Sequence, residues 1–288
     1  MQDNGLLSKL KIFLEMIKFS HTIFALPFAL TGALLAARGI PSPGQLFWIV
    51  MAMVGARTAA MAMNRLIDAD IDGRNPRTAS RAIPAGLLSR GVVALYIVIS
   101  LALLLYAAYR LNPLCVKLSP IAIFFLLLYS YCKRFTSLAH IVLGICLAAA
   151  PMGAWVAIRG ELSLPPVLLG AAVLFWVAGF DILYALQDLE FDRQAGLHSI
   201  PVKLGVRGSL LLARLFSLVM ILLLIGAAIT LQLAVPFYCG IAASAALITY
   251  EHWLVRDGDL AKLDLAFFTM NGYVSVIILS ATVLDVFL

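Results

Sequence analysis

The sequence predicts an all-α, polytopic membrane protein with about nine transmembrane helices in two pseudo-repeated halves. Three observations lead there. Only 12% of the 288 residues are charged while 63% are hydrophobic, and the mean hydropathy is +1.01. Too few polar side chains remain to solvate a globule of this length, so lipid must serve as the second solvent. Apolar stretches of about twenty residues, the length that crosses a bilayer core, recur from end to end. Finally, one acidic pattern occurs twice, at residues 68 and 188, each time where an apolar stretch ends.

Taken in order, the opening MQDNGLLSKLKIFLEMIKFS is amphipathic and carries Lys9, Lys11, Glu15 and Lys18. It has no small-residue cleavage site before the first span and reads as an interfacial helix. Hydropathy then places spans at 19–37, 46–64, 92–108, 113–131, 138–158, 166–186, 209–229, 234–254 and 264–284. With the N-terminus inside, fifteen of the 21 Lys and Arg fall in cytoplasmic segments and four opposite, at Arg38, Arg110, Lys117 and Arg159. That bias fixes the orientation. The pI of 9.3 therefore reports topology, and no nucleic-acid partner is implied. Cys115, Cys132, Cys146 and Cys239 lack metal-ligand spacing and read as small buried hydrophobes.

The chemistry lies in NRLIDADIDGRNPRTASR, residues 64 to 81, and in DILYALQDLEFDRQAGLHSIPVKLG, residues 181 to 205. Asn64, Asp68 and Asp72 correspond to Tyr184, Asp188 and Asp192, and both segments run into basic loops containing an Ile-Pro pair. The whole chain, 1–288, reads as a single transmembrane domain with motif halves around 46–90 and 166–207. Residues four apart share one helix face, so each half offers a polar stripe running toward the cytoplasmic surface. Arg57 stands seven residues before Asn64 and Asp181 seven before Asp188. Asp70 and Glu190 fall off the stripes and read as solvated charges. Like charges one turn apart repel, and carboxylates near a bilayer are costly. Two facing carboxylate pairs with oxygen-only surroundings suit Mg²⁺, which binds through one or two carboxylates plus substrate phosphates. Arg77, Arg81, Lys133, Arg134, Arg193 and Lys203 then meet phosphate oxygens directly. Acids holding metal, with metal and basic groups holding anion, describe a diphosphate site.

At these motifs the chain resembles the UbiA superfamily of intramembrane prenyltransferases, most closely its 4-hydroxybenzoate polyprenyltransferase-like branch. The tracts KFSHTIFALPFALTGALLAA, NPRTASRAIPAG and DILYALQDLEFDRQAGLHSIP carry the likeness beside the paired NxxxDxxxD and YxxxDxxxD segments. The resemblance implies a cytoplasmic-side transfer of a polyprenyl group from polyprenyl diphosphate to an electron-rich aromatic ring. It implies Mg²⁺ at Asp68, Asp72, Asp188 and Asp192, with Asn64, Arg77, Arg81, Lys133, Arg134 and Lys203 on the substrate. A 4-hydroxybenzoate acceptor places the protein in ubiquinone synthesis; a naphthoate-type acceptor places it in menaquinone synthesis.

Arg57 and Asp181 sit within spans, where ionisable groups are expensive and functional by default. They are candidates for the acceptor pocket, Arg57 near an acceptor carboxylate or the diphosphate and Asp181 orienting a phenolic hydroxyl. A salt bridge between them is the structural alternative. Tyr184 is a candidate to shield an allylic cation with its ring. His21, in KFSHTIF, is a polar helix end or a substrate contact. His140, His198 and His252 lack ligand spacing and read as structural, while the four tryptophans read mostly as interface anchors or lipid-facing bulk. A secondary transporter is the competing class, because duplicated halves with paired acids also suit ion movement. Against it stand motifs gathered at one membrane face.

Overall fold

The computed structural model describes residues 6–17, 26–255 and 270–288. Among them there is no strand: the chain is a bundle of helices. A short helix α1 (Leu6–Met16) precedes α2 (Leu26–Ala37) and α3 (Pro43–Ile67), and the one-turn α4 (Ala69–Asp72) follows directly. Next come α5 (Arg90–Leu111), α6 (Pro113–Cys132), α7 (Ala139–Arg159) and α8 (Leu164–Ala185). A 3₁₀ turn (Leu186–Asp188) leads into α9 (Leu189–Gln194), and α10 (Ile200–Leu231), α11 (Val235–Leu254) and α12 (Asn271–Phe287) complete the bundle.

Six segments are long and apolar enough to cross a membrane: α3, α5, α6, α7, α10, and the run Leu164–Gln194 that joins α8 to α9. The apolar helices α2 and α12 are shorter and adjoin residues 18–25 and 256–269, which lie outside the described part, as do His21, Lys18, Arg256 and Lys262. The 20-residue α11 carries Glu251 and His252 in its last turn. The described helices thus supply six clear spans where hydropathy predicted nine.

Local sequence explains the helix boundaries. At the start of α3, Ser42 and Gln45 form a reciprocal capping box with Pro43 in the first turn. Ser89, Asn112 and Ser199 cap α5, α6 and α10 with their side-chain oxygens. Gly205 takes φ +67° inside α10, a conformation only glycine adopts readily, and it bends that helix one turn after its start.

Packing divides into two cores. The first gathers Phe13 and Ile17 with Ala59, Met63, Val93, Ile97 and Leu126, so α1 docks on α3, α5 and α6. The amphipathic face of α1 therefore meets protein: Phe13 stacks on Tyr96 at 4.1 Å between ring centroids, while Lys9, Lys11 and Glu15 are exposed. The second core sets Phe28, Trp155, Trp176, Met220, Leu224, Phe237 and Ile278 between α2, α7, α8, α10, α11 and α12. Trp155 and Trp176 are buried there, contrary to the anchoring role read from sequence. Trp48 does sit in an exposed cluster, its ring 4.8 Å from the Arg110 guanidinium. Of the four thiols only Cys132 is fully buried, and Cys239 is exposed. A seam of small residues (Ala29, Ala33, Ala154 and Ala157, with Ile49) joins α2, α3 and α7. Leu211, Leu215, Leu218 and Leu222 form an exposed stripe along α10, which only a lipid surface makes favourable.

Without a hydrophobic drive between helices in lipid, close backbone approach carries much of the packing. A Cβ on Gly144 of α7 would lie 2.5 Å from the Leu174 carbonyl oxygen of α8, too close to accommodate. Gly144→Val should therefore cost about 1–3 kcal/mol by overpacking, seen as a lower unfolding temperature in detergent. Gly153→Ala on the same helix, where an added Cβ meets nothing within 4 Å, should leave that temperature unchanged or raise it.

Candidate functional site

The polar stripes are not continuous helices. α3 ends at Ile67, and Asp68 takes φ −89°, ψ 1° before α4 begins. Asp188 occupies the equivalent place, with φ −100°, ψ 3°, between the 3₁₀ turn and α9. In the first half the four-residue register survives the break: the Asp68 amide donates to the Asn64 carbonyl at 3.0 Å and the Asp72 amide to that of Asp68 at 2.8 Å. Each leading aspartate thus sits at a turned helix end, with its second carboxylate one short helix further on.

Cations from three segments converge on these acids. Asp68, only 3% exposed at its side chain, takes Lys133 Nζ at 2.6 Å and Arg134 Nη1 at 3.0 Å. The oxygen facing Lys133, Oδ2, also accepts from Asn64 Nδ2 at 3.0 Å. Arg134 is itself fixed by the carbonyls of Ser130 and Ile67, both at 2.8 Å, which ties the end of α6 to the end of α3. Arg81 reaches back nine residues to grip Asp72, with Nη1 2.7 Å from each carboxylate oxygen.

The loop at 73–89 crosses from one half to the other. Gly73, Pro76, Pro84 and Gly86 prevent a helix there. Instead the Thr78 hydroxyl donates to the Asp72 carbonyl at 3.0 Å, and the Arg77 amide donates to Asn75 Oδ1 at 2.9 Å. The turn so formed presents two donors to Asp188: Asn75 Nδ2 at 3.0 Å and Arg77 Nε at 2.9 Å. Arg77 Nη2 forms an ion pair with the second Asp188 oxygen. Burial works against the Arg77 charge, yet Asp188 outweighs it and raises the guanidinium pKa above its ordinary value. Arg77 Nη1 also donates to the Tyr184 hydroxyl at 3.4 Å, with the guanidinium 5.6 Å from the ring centre.

Most of the residues singled out in the sequence meet here. Asn64, Asp68, Asp72, Arg77, Arg81, Lys133, Arg134, Tyr184 and Asp188 belong to one network of bonds, and Asp192 lies beside Asp188, within electrostatic reach of Lys133. Lys203 stands apart, exposed on the first turn of α10, and makes no ion pair among the described residues. Arg57 donates to the Ile17 carbonyl at 3.3 Å, linking α3 to the end of α1. Asp181 has His140 as its ion partner, at 2.7 Å. Asp70 pairs with Arg90 and Glu190 with Arg193, all four on the exposed surface.

Three residues at this end escaped the sequence reading. Asn75 was not singled out in the basic loop, and only the fold brings it to Asp188. Arg65 counted as a topology charge, but it is buried and its Nη1 donates to Asn64 Oδ1 at 3.3 Å. His140 lacked any neighbour in sequence that would mark it.

No three His, Cys, Asp or Glu side chains among the described residues converge as a metal cage. The donor set nevertheless fits a hard divalent ion. It consists of carboxylates in two pairs, and Mg²⁺ takes one or two carboxylates and fills its remaining positions with water and phosphate.

A model of the UbiA prenyltransferase family matches residues 25–273. The chain belongs to this family. Among curated relatives, a 4-hydroxybenzoate octaprenyltransferase of Vibrio atlanticus is 29% identical over 277 residues, 94% of this chain and 96% of that protein. Another of the same name, from Tolumonas auensis, is 30% identical and covers 87% of both chains. Among solved structures, a UbiA homologue from Aeropyrum pernix is 34% identical and superposes with a TM-score of 0.85 over 92% of this chain and 98% of its own.

The buried charge at Asp68 yields a test. Its two cations are redundant, so Lys133→Ala alone should cost under about 1 kcal/mol. Lys133→Ala with Arg134→Ala leaves the carboxylate buried and uncompensated. Because both cations are part-exposed, that loss should be about 2–4 kcal/mol, read by thermal unfolding in detergent. Added Mg²⁺ should recover part of it.

Proposed function

We propose that the protein is an Mg²⁺-dependent aromatic polyprenyltransferase that moves a polyprenyl group from polyprenyl diphosphate to 4-hydroxybenzoate. The observation that carries this reading is the charge network at one end of the bundle. Two carboxylate pairs, one from each half, are bridged by the loop bearing Asn75 and Arg77, and a cation meets Asp68, Asp72 and Asp188 in turn. The names of the relatives support 4-hydroxybenzoate over a naphthoate as acceptor. A site gathered at one end also favours an enzyme over a transporter, whose site belongs near the midplane.

The matching backbone breaks at Asp68 and Asp188 support the reading of two pseudo-repeated halves within one domain. Counting the shorter apolar helices α2 and α12 together with α11 gives the nine spans of that arrangement. The bias of Lys and Arg sets the N-terminus and the site on the cytoplasmic side.

Bound Mg²⁺ at Asp68, Asp72, Asp188 and Asp192 supplies positive charge to the diphosphate as it leaves. In the ligand-free chain Lys133, Arg134, Arg81 and Arg77 neutralise the acids; in the loaded site they donate to phosphate oxygens. That exchange places donors where negative charge develops as the allylic C–O bond breaks, which is the larger part of the catalysis. Asn64 stays with Asp68 and orients it. The Tyr184 ring, already a partner of a guanidinium, faces the allylic carbon as it gains positive charge. The carbon ortho to the acceptor hydroxyl attacks the allylic carbon, diphosphate departs, and the ring loses a proton to restore aromaticity. Asp181 orients the acceptor hydroxyl and Arg57 its carboxylate. The apolar helices exclude water from the cation and hold the polyprenyl tail.

Purified protein in liposomes, given labelled polyprenyl diphosphate and 4-hydroxybenzoate, should form prenylated product with Mg²⁺ and none with EDTA. Asp68→Asn and Asp188→Asn should each lower kcat about 100-fold or more, the scale of removing one preorganised electrostatic group. Product insensitive to EDTA, or to both substitutions, would overturn the reading.

A further inference from the structure

One ion pair at this end belongs to neither acidic stripe. His140, in the first turn of α7, is only 4% exposed, and its Nδ1 lies 2.7 Å from Asp181 Oδ2 on α8. Its Nε2 is buried and finds no hydrogen-bond partner among the described residues. An imidazolium here would leave a buried N–H without an acceptor, a costly arrangement. The geometry accommodates the singly protonated ring, with Nδ1–H donating to an anionic Asp181. The asymmetry of exposure then matters. His140 is sealed between helices, while the Asp181 side chain is 19% exposed, so the carboxylate is the accessible member of the pair, and Tyr129 lies within electrostatic reach of both Asp181 and Asp68.

Asp181 stands on the helix that leads into the charge network. Seven residues on, Asp188 holds Arg77, and α3 brings Arg57, Arg65 and the Asp68 cluster to the same end. A carboxylate on a flexible side chain with no partner of its own would turn toward a guanidinium or a bound cation. A neutral donor fixed on a second helix prevents that without adding charge, and engages Oδ2 while Oδ1 has no hydrogen-bond donor among the described residues. We propose that His140 is the positioning residue that reserves Asp181 for the phenolic hydroxyl of the acceptor. The proposal rests on the prenyltransferase reading above and extends it from the diphosphate half of the site to the acceptor half. Asp181 accepts the hydroxyl hydrogen bond and His140 sets the direction from which it does so. Drawing the hydroxyl proton toward the carboxylate raises electron density on the phenolic oxygen, which donates it to the ortho carbon, so misplacing Asp181 weakens acceptor binding and leaves the diphosphate site alone.

The test compares substitutions that separate ring shape from the Nδ1 donor. His140→Phe keeps the ring volume without a donor. His140→Asn places its amide near the Nδ1 position and restores a neutral donor. With detergent-solubilised full-length protein, KM for 4-hydroxybenzoate should rise about tenfold or more in His140→Phe, the scale of one hydrogen bond to a charged group. KM for polyprenyl diphosphate should stay within about twofold, and His140→Asn should recover most of the acceptor loss. 4-Methoxybenzoate, which cannot donate, should inhibit wild type and His140→Phe equally. Equal losses for both substrates, or no recovery by Asn over Phe, would reduce His140 to a packing residue and overturn the proposal. If His140→Phe does not fold, Asp181→Asn, which keeps the volume and removes the anion, must reproduce the selective rise in acceptor KM; a matching rise for the donor refutes the assignment. Absence of any prenylated product from wild type would instead sink the prenyltransferase reading itself.

Discussion

Carboxylates at the rim of a lipid-embedded bundle need a cation in contact, and the architecture of this end of the molecule follows from that requirement. Asp68 and Asp72 are almost fully buried, where an unpaired charge is several kcal/mol unfavourable. The loop at 73–89, the junction of α6 with α7, and the short helices α4 and α9 all serve to bring basic groups or acids to one place. The charges are not stacked along one straight helix in either half. A turned residue at Asp68 and at Asp188 ends the membrane helix and redirects the second aspartate, letting cations approach each carboxylate from a separate direction.

The same network explains how buried carboxylates are stable at this end of the bundle. Lys133 and Arg134 satisfy Asp68, Arg81 satisfies Asp72, and Arg77 with Asn75 satisfies Asp188. Every one of these cations also belongs to the group that a diphosphate attracts. In the proposed reaction an exchange of carboxylate for phosphate would need only side-chain movement on a fixed scaffold, with close helix contacts such as Gly144 against Leu174 holding the frame. Asp181 and His140 stand one step deeper, paired to each other and outside that exchange.

Much of this was legible in sequence because it depends on period. Spacing of four placed Asp68 with Asp72 and Asp188 with Asp192, duplication matched the halves, and apolar length located most helices to within a few residues. What sequence did not carry is which cation meets which acid, since Arg77 crosses 111 residues to Asp188 while Arg81 turns back only nine. Asn75 and His140 were invisible for the same reason: each gains meaning from a partner on another element. Trp155 and Trp176 were misjudged because lipid and protein core are equally apolar, so hydrophobicity alone cannot say which one a membrane helix faces. Lys203 was read as a ligand from proximity in sequence, yet the first turn of α10, ahead of the bend at Gly205, presents that side chain outward.

The central claim is that the four basic residues leave the aspartates for the diphosphate when metal arrives. A structure of the full chain with Mn²⁺ and a non-hydrolysable prenyl diphosphate measures this directly. The account predicts anomalous density between the two aspartate pairs, with Arg77, Arg81, Lys133 and Arg134 turned onto phosphate oxygens. Metal bound elsewhere, with the pairs at Asp68, Asp72 and Asp188 intact, would contradict it.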